Sequence, residues 1–190
     1  MRKQTKWAVV LGAAAVMTFG AAMTTFAAGW VEEGGDWYYY NKDDEAVTED
    51  WQKDANGKYY WLGDDGAMVT SSWVEGSDGN KYYVNAQGVR ITNEWRYMFG
   101  MDDEADEESW FYFGSNGKYT TGKSTINGKV YYFDAEGKML TGWITYDSDG
   151  KEAQELESKV DSDGKNAVYA GEDGARVSGW VKLYAPEDED

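Results

Sequence analysis

The residues with the most evident chemical use in this sequence are tryptophans at nearly constant spacing. Trp30, Trp51, Trp73 and Trp95 stand 21, 22 and 22 residues apart, and the chain holds 10 Trp and 15 Tyr against 6 Phe. Tyr and Trp combine an apolar face with a polar edge, which suits them to binding surfaces. Such faces attract organic cations and can also lie under the C–H surface of a sugar. The pattern predicts a ligand held at ring faces, although the same rings could simply hold small β-units together.

Acidic groups are also abundant, but they argue less strongly for a site. With 35 Asp and Glu in the chain, some pair of carboxylates will stand at glycosidase spacing by chance. A catalytic pair needs a concave pocket that raises one pKa by burial, and stacked hairpins bury few acids. The sequence has no histidine, the commonest general base and metal ligand. We therefore expect a binding protein and not an enzyme, with no catalytic residues, no metal site and no cofactor.

The charge of the chain restricts its partners. The formal net charge is −17, although residues 1–28 hold Arg2, Lys3 and Lys6 and no acid. The remainder is therefore more acidic still, which repels phosphate backbones and anionic lipid, so nucleic acid is not expected as a partner. Because the chain has no cysteine, its stability must come from stacking of repeats and not from disulfides.

The first 28 residues predict a secretory signal peptide. After the basic start, the 17 residues from Trp7 to Met23 are almost entirely apolar, and small residues follow up to Ala27 and Ala28. An uncleaved anchor is the alternative, because a membrane-spanning helix needs ~20 residues, but the small residues favour cleavage. We expect a mature chain that is secreted, not inserted in the membrane, and associated with the cell wall or cell surface.

A repeating unit follows each tryptophan. An aromatic cluster, a glycine turn and a short apolar step recur, as in Tyr59-Tyr60-Trp61 before Gly66 and Tyr131-Tyr132-Phe133 before Gly137. In the first unit Glu45 replaces the turn glycine, and the last unit has lost most of its rings. About six copies of roughly 20 residues are present, a period typical of repeat architectures.

Each unit predicts a β-hairpin. The run 129–133 is β-branched and aromatic, and Asn127-Gly128 before it is a tight-turn dipeptide. Side chains alternate along a strand, so both faces of this hairpin carry rings. One face can pack on the next repeat while the other lines a groove between repeats. Since a lone hairpin is marginal in water, we predict an all-β fold, a solenoid of stacked β-hairpins.

The segment 121–143, TGKSTINGKVYYFDAEGKMLTGW, closely resembles the cell-wall-binding repeat family. That family includes choline-binding modules of bacterial surface proteins, glucan-binding repeats of glucosyltransferases and the repetitive regions of large clostridial toxins. The resemblance covers residues 29–184 and implies ligand sites between consecutive repeats. Outside it we expect the signal peptide (1–28), acidic insertions near 100–109 and 147–166, and an acidic tail (185–190).

The resemblance also implies which residues bind. In the choline-binding branch a site is a box of about three rings, often with a methionine nearby, and it holds a quaternary ammonium by cation–π attraction. The positions of this chain that match the motif or supply rings beside it are Trp51, Tyr59, Met68, Trp73, Trp95, Trp110, Tyr131, Met139, Trp143 and Trp180. The fullest boxes are expected around Trp51, Tyr59 and Trp73, or around Trp95 and Trp110.

Several motif positions have lost their ring, namely Lys81, Lys123, Val130 and Ala167. A lysine there would repel a choline head group, whereas a sugar needs only one or two ring faces. We therefore favour cell-wall polysaccharide or another surface glycan, bound non-covalently, over the choline of a teichoic acid. A structural or adhesive role in binding another surface protein is a further alternative.

The acidic insertions contain an Asp-Ser-Asp-Gly run at 147–150 and a second at 161–164. Oxygen-rich loops suit calcium, but these runs lack the spacing of a calcium loop. An Asp-Gly turn is the favoured interpretation. The stretch 151–159 is compatible with either a short helix or a long strand.

Overall fold

The computed structural model describes residues 28–101, 107–147, 149–156 and 166–179. Residues 1–27 of the predicted signal peptide, the acidic tail at 185–190, and parts of both insertions lie outside these ranges. Within them every regular element is a strand, which confirms the all-β prediction. None of the described residues forms a helix with the length and apolar character needed to cross a membrane.

The chain divides into two compact units, Met1–Ile91 and Thr92–Asp190. The first unit contains three antiparallel hairpins, which we number repeats 1 to 3: β1 (Gly29–Glu33) with β2 (Asp36–Tyr40), β3 (Asp50–Lys53) with β4 (Tyr59–Leu62), and β5 (Ser72–Glu75) with β6 (Lys81–Val84).

The second unit contains repeats 4 to 6. These are β7 (Glu94–Met98) with β8 (Ser109–Phe113), β9 (Gly122–Ile126) with β10 (Lys129–Phe133), and a three-stranded sheet of β11 (Gly142–Tyr146) flanked by β12 (Ala153–Leu156) and β13 (Asn166–Ala170).

Within each unit, a third segment after a hairpin joins it to the repeat before. The amide nitrogen of Met68, in the segment after repeat 2, donates to the carbonyl of Trp37 in repeat 1 at 2.7 Å. Arg90 donates in the same way to Tyr59 at 2.8 Å, and in the second unit Met139 donates to Trp110 at 2.8 Å. Each hairpin thus satisfies backbone groups of its neighbour, and the predicted stacking of hairpins is confirmed within each unit.

In the first repeat Asp44 occupies the position of the turn glycine. The sequence-based assignment of this position to Glu45 was wrong by one residue. Asp44 has φ of +59° where Gly66 has +81°. Its amide donates to the carbonyl of Asn41 at 3.2 Å, just as Gly66 donates to Gly63 at 3.0 Å. Aspartate tolerates this left-handed conformation better than most residues, so the glycine of the motif has an acidic equivalent one residue earlier than expected.

The insertion in repeat 6 begins with a turn and a strand. The Asp147 carboxylate accepts the amides of Lys151 at 2.7 Å and Glu152 at 3.2 Å, so this Asp-Ser-Asp-Gly run is a side-chain-capped turn. After it, 153–156 pairs with β11 as a strand, which decides the question left open for the start of 151–159. The second such run, 161–164, lies outside the described residues.

Candidate functional site

Rings from two successive hairpins converge beside Trp30, Trp51 and Trp95. In repeat 2, Trp51 meets Trp61 of its own hairpin and Tyr82 of the next, both with ring centroids at 5.1 Å and edge-to-face geometry. The register places Trp51 directly opposite Trp61, while Tyr82 arrives from β6. We call Trp51, Tyr59 and Tyr82 the repeat-2 cage.

The guanidinium of Arg90 occupies the repeat-2 cage. Its central carbon lies 4.2 Å from the ring centroid of Tyr59, 5.0 Å from that of Trp51 and 5.4 Å from that of Tyr82. These distances are all within the range of cation–π attraction. Burial lowers the pKa of Arg90, with nearby Tyr82, Tyr59 and Asp78 opposing that shift. The cage therefore holds an organic cation that belongs to the chain itself.

The equivalent cage in the second unit consists of Trp95, Trp110 and Tyr131, which we call the repeat-4 cage. The Trp95 ring lies 4.9 Å from Tyr131 and 6.4 Å from Trp110, both edge to face. Phe133 stacks on the same tryptophan at 5.7 Å. Trp110 is 43% exposed, so one wall of this cage is open to solvent.

Met139 takes the backbone position beside the repeat-4 cage that Arg90 takes beside the repeat-2 cage. Both residues donate their amide to the first ring residue of the preceding hairpin's second strand, Trp110 and Tyr59 respectively. A thioether is uncharged and polarisable and makes favourable contacts with rings. The two cages thus share their backbone frame and differ in the charge of one side chain.

A third cage of the same kind lies in repeat 1. Trp30 meets Tyr60 at 5.2 Å and Tyr39 at 5.4 Å, and Met68 donates its amide to Trp37. The indole nitrogen of Trp30 is buried and has no hydrogen-bond partner among the described residues. We call Trp30, Trp37 and Tyr60 the repeat-1 cage.

The methionines also fix the turn of the following repeat. A Cβ on Gly88 would lie 2.8 Å from the sulfur of Met68, and Met139 approaches Gly174 still more closely. Gly88 has φ of +73°, a conformation that favours glycine, and the thioether packs in the space that a Cβ would take. The methionine position is therefore partly structural.

Tyrosine hydroxyls anchor two of the cage rings to turn carboxylates. Tyr82 donates to Asp78 at 2.9 Å and Tyr60 donates to Asp54 at 3.3 Å. Burial, with the adjacent Asp54 charge, raises the pKa of Tyr60 to about 12. Asp54, in the turn of repeat 2, thus orients Tyr60 of the repeat-1 cage. Asp78, in the turn of repeat 3, orients Tyr82 of the repeat-2 cage in the same way.

The other predicted tryptophans pack on rings of their own sheets or lie beyond the described chain. Trp73 packs edge to face on Tyr83 at 5.8 Å, and Trp143 packs on Tyr169 at 5.3 Å. Trp180 lies outside the described residues. In repeat 5 Lys123 replaces the tryptophan and Val130 the first ring, and the Lys123 ammonium lies 5.4 Å from the Tyr146 ring.

Sequence reasoning missed Tyr82, Tyr60, Trp37 and the role of Arg90. Counting seven residues back from Asp44 would have found Trp37, because Tyr59 and Trp110 precede their turn glycines by the same interval. Tyr60, Tyr82 and Tyr131 are equivalent to one another, since each stands six residues before the turn glycine of its repeat. Within the described part of the chain no group of three or more acidic side chains is placed to hold a metal ion.

Comparison with known proteins adds an independent line of evidence. Two sequence models described as choline-binding repeat match residues 45–89 and 120–152, and one described as cell wall binding repeat matches 28–43 and 105–119. Glucosyltransferase-S of Streptococcus mutans is 33% identical over 96 residues, which is 46% of this chain and 6% of the relative. Glucosyltransferase-I of Streptococcus downei is 43% identical over 51 residues, or 27% and 3%.

Solved structures give the same picture. Choline binding protein F from Streptococcus pneumoniae, solved in the presence of a peptidoglycan analogue, matches with a TM-score of 0.53 and 30% identity over 80% of this chain and 41% of that one. CbpJ from the same species matches with a TM-score of 0.53 and 27% identity over 80% and 42%. The chain spans less than half of either solved chain and a small part of each glucosyltransferase.

Proposed function

Because this chain belongs to the family of choline-binding and cell-wall-binding repeats, we propose that it attaches non-covalently to a bacterial cell-wall polymer through its aromatic cages. The proposed ligand is an organic cation on that polymer, a quaternary ammonium of the choline type. The proposed place of binding is the repeat-4 cage, with the repeat-1 cage as a second site. The proposal includes a secreted, non-catalytic protein at the cell surface.

The observation that carries this proposal is the Arg90 guanidinium inside the repeat-2 cage. It lies within 5.4 Å of three ring centroids, so the cage geometry accommodates a planar organic cation at cation–π distance. The repeat-4 cage has the same frame, with the neutral Met139 at the equivalent backbone position. A quaternary ammonium cannot donate a hydrogen bond, so ring faces and a thioether are suitable partners for it.

The charge of the protein supports a cationic ligand group. With a formal net charge of −17, the chain produces a negative potential that raises the local concentration of cations. Sites in successive repeats would also act together on a polymer, since several weak contacts on one strand give avidity. The sequence favoured a sugar as the ligand. The Arg90 guanidinium among three rings shifts our preference towards an ammonium group.

The test is binding of the purified mature chain to isolated cell walls that carry choline, followed by elution with free choline. The expected result is sedimentation with the walls and release by choline, with a heat-denatured sample remaining in solution. Sedimentation that choline does not reverse would reject the ammonium ligand. Failure to sediment at all would reject wall attachment.

A glycan remains the second candidate, and one feature favours it. Tyr97 and Trp110 form an exposed ring pair with centroids 5.3 Å apart, and their residues are 54% and 43% exposed. Such a pair offers faces on which a sugar ring can lie. The similarity to glucosyltransferases makes soluble glucan the natural competitor, and elution by glucan but not by choline would favour this candidate.

A further inference from the structure

The side chain at one backbone position decides what each cage contains. This position is the residue whose amide donates to the first wall residue of the preceding hairpin's second strand. Within each unit the bonds of this kind are made by Met68, Arg90, Met139 and Arg176. In the two arginine cases the surroundings differ. Arg90 lies among three rings, whereas the corresponding walls beside Arg176 are Val130 and Val168.

Arg90 is held in its cage by more than its charge. Its amide is bonded to Tyr59, whose ring is the nearest wall, so the backbone delivers the side chain into the space between the rings. Its Nε atom is buried and without a hydrogen-bond partner among the described residues. Burial of this N–H without a hydrogen bond costs free energy. Cation–π attraction to the three ring faces offsets that cost.

A carboxylate is bound to one wall of the cage. Asp78 contributes to the electrostatic environment of Arg90 and accepts a hydrogen bond from the Tyr82 hydroxyl at 2.9 Å. A negative charge is therefore held at the hydroxyl of a cage ring. The same arrangement would suit an external ammonium ion, for which the cage is already shaped.

We propose that Arg90 is a built-in occupant that closes the repeat-2 cage to external ligands and so determines which repeats bind. A cage of this chain is open to an organic cation when methionine fills the controlling position and closed when arginine fills it. The inference rests on the proposed function in taking a quaternary ammonium as the ligand. It goes further in assigning the specificity-determining residue and in predicting a latent site.

The test measures the number of choline molecules bound per mature chain, by equilibrium dialysis with radiolabelled choline and by titration calorimetry. Four proteins are compared: the unaltered chain, Arg90→Met, Met139→Arg and Arg176→Met. Near-ultraviolet circular dichroism of each variant verifies that the rings remain packed. Arg176→Met is the matched control, because it makes the same substitution at the equivalent backbone position where Val130 and Val168 stand in place of cage rings.

The expected result is one additional choline per chain in Arg90→Met, one fewer in Met139→Arg and no change in Arg176→Met. A gain in Arg90→Met with no binding by the unaltered chain would uphold the closed cage and reject the proposed function. A loss in Met139→Arg without a gain in Arg90→Met would uphold the function and overturn the inference. An equal gain in Arg176→Met would also overturn it, because the added site would then owe nothing to the ring cage. Binding by none of the four proteins would overturn both.

Discussion

Arg90 and Tyr59 are joined twice, once through the backbone and once through their side chains. The amide of Arg90 donates to the carbonyl of Tyr59 at 2.8 Å, and its guanidinium carbon lies 4.2 Å from the Tyr59 ring centroid. The first contact stacks one repeat on the other, and the second fills the cage between them. The same position of the repeat therefore contributes to folding and to the proposed ligand site. Variants at this position change both the stability of the chain and its proposed binding.

Loss of the exposed cage wall separates the two candidate ligands. Trp110→Ala removes a ring from the repeat-4 cage and should weaken choline binding about threefold to tenfold, the worth of one cation–π contact at a partly exposed ring. Tyr97→Ala removes only the outer ring of the exposed pair and should leave choline affinity unchanged. Titration calorimetry with choline measures both, and a Tyr97→Ala protein that loses glucan binding instead would favour the glycan.

The Arg90 side chain should stabilise the first unit by filling space as much as by charge. Arg90→Ala leaves the three rings around an empty volume and should lower the free energy of unfolding by about 1–2 kcal/mol. Arg90→Met should stay within about 0.5 kcal/mol of the unaltered chain, since the thioether packs on the same rings. Urea denaturation followed by tryptophan fluorescence measures these changes. Arg176→Ala, an exposed control, should have little effect, and equal losses at both arginines would contradict a role for the cage.

The turn of repeat 1 offers a simple way to stabilise the protein. Asp44→Gly should raise the free energy of unfolding by roughly 0.5–1 kcal/mol, because relief of the left-handed conformation outweighs the added flexibility of the unfolded chain. Gly66→Asp, the reciprocal change at the equivalent turn, should cost a similar amount. Thermal denaturation of both variants provides the measurement. Destabilisation by Asp44→Gly would mean that its side chain contributes more than its strained φ of +59° costs.

Alkaline pH should weaken the fold through its buried tyrosines. Burial raises the pKa of both Tyr60 and Tyr132 to about 12 from the ordinary 10.0, so the folded state favours the neutral phenol. Their contribution is complete below pH 10 and is lost as pH rises towards about 12. Tyr60→Phe cannot ionise and should show a shallower loss of stability over this interval. Urea midpoints at a series of pH values test this, and parallel curves for the two proteins would contradict it.

The local architecture of this protein could be predicted because its signals are local. Asn127-Gly128 defines a hairpin turn by its own backbone preferences, with φ of +50° and +79°. The run 129–133 beside it is β-branched and aromatic, which favours a strand. The one local error, Glu45 for Asp44, arose because an acid in a left-handed conformation looks the same in sequence as an acid anywhere else.

The candidate site was only partly predictable, because its walls come from different repeats. Trp51 and Tyr59 belong to one hairpin and were expected together. The third ring is Tyr82, while Trp73 packs on Tyr83 of its own hairpin. Which ring of the next repeat turns towards the cage depends on how hairpins stack, and that offset is set by packing more than 20 residues along the chain.

The sequence by itself determined the repeats, the hairpins, the strongly acidic charge and the supply of ring faces, since each follows from residues within a few positions of one another. Only the tertiary structure decided which rings form each cage and whether a side chain of the protein lies among them. Arg90, Met139 and Arg176 occupy equivalent places in the repeat, and nothing in their neighbouring sequence indicates that the Arg90 guanidinium reaches three rings while the wall positions beside Arg176 hold valines. A cage between repeats exists only when two hairpins are stacked, and its contents depend on side chains that approach through that stacking.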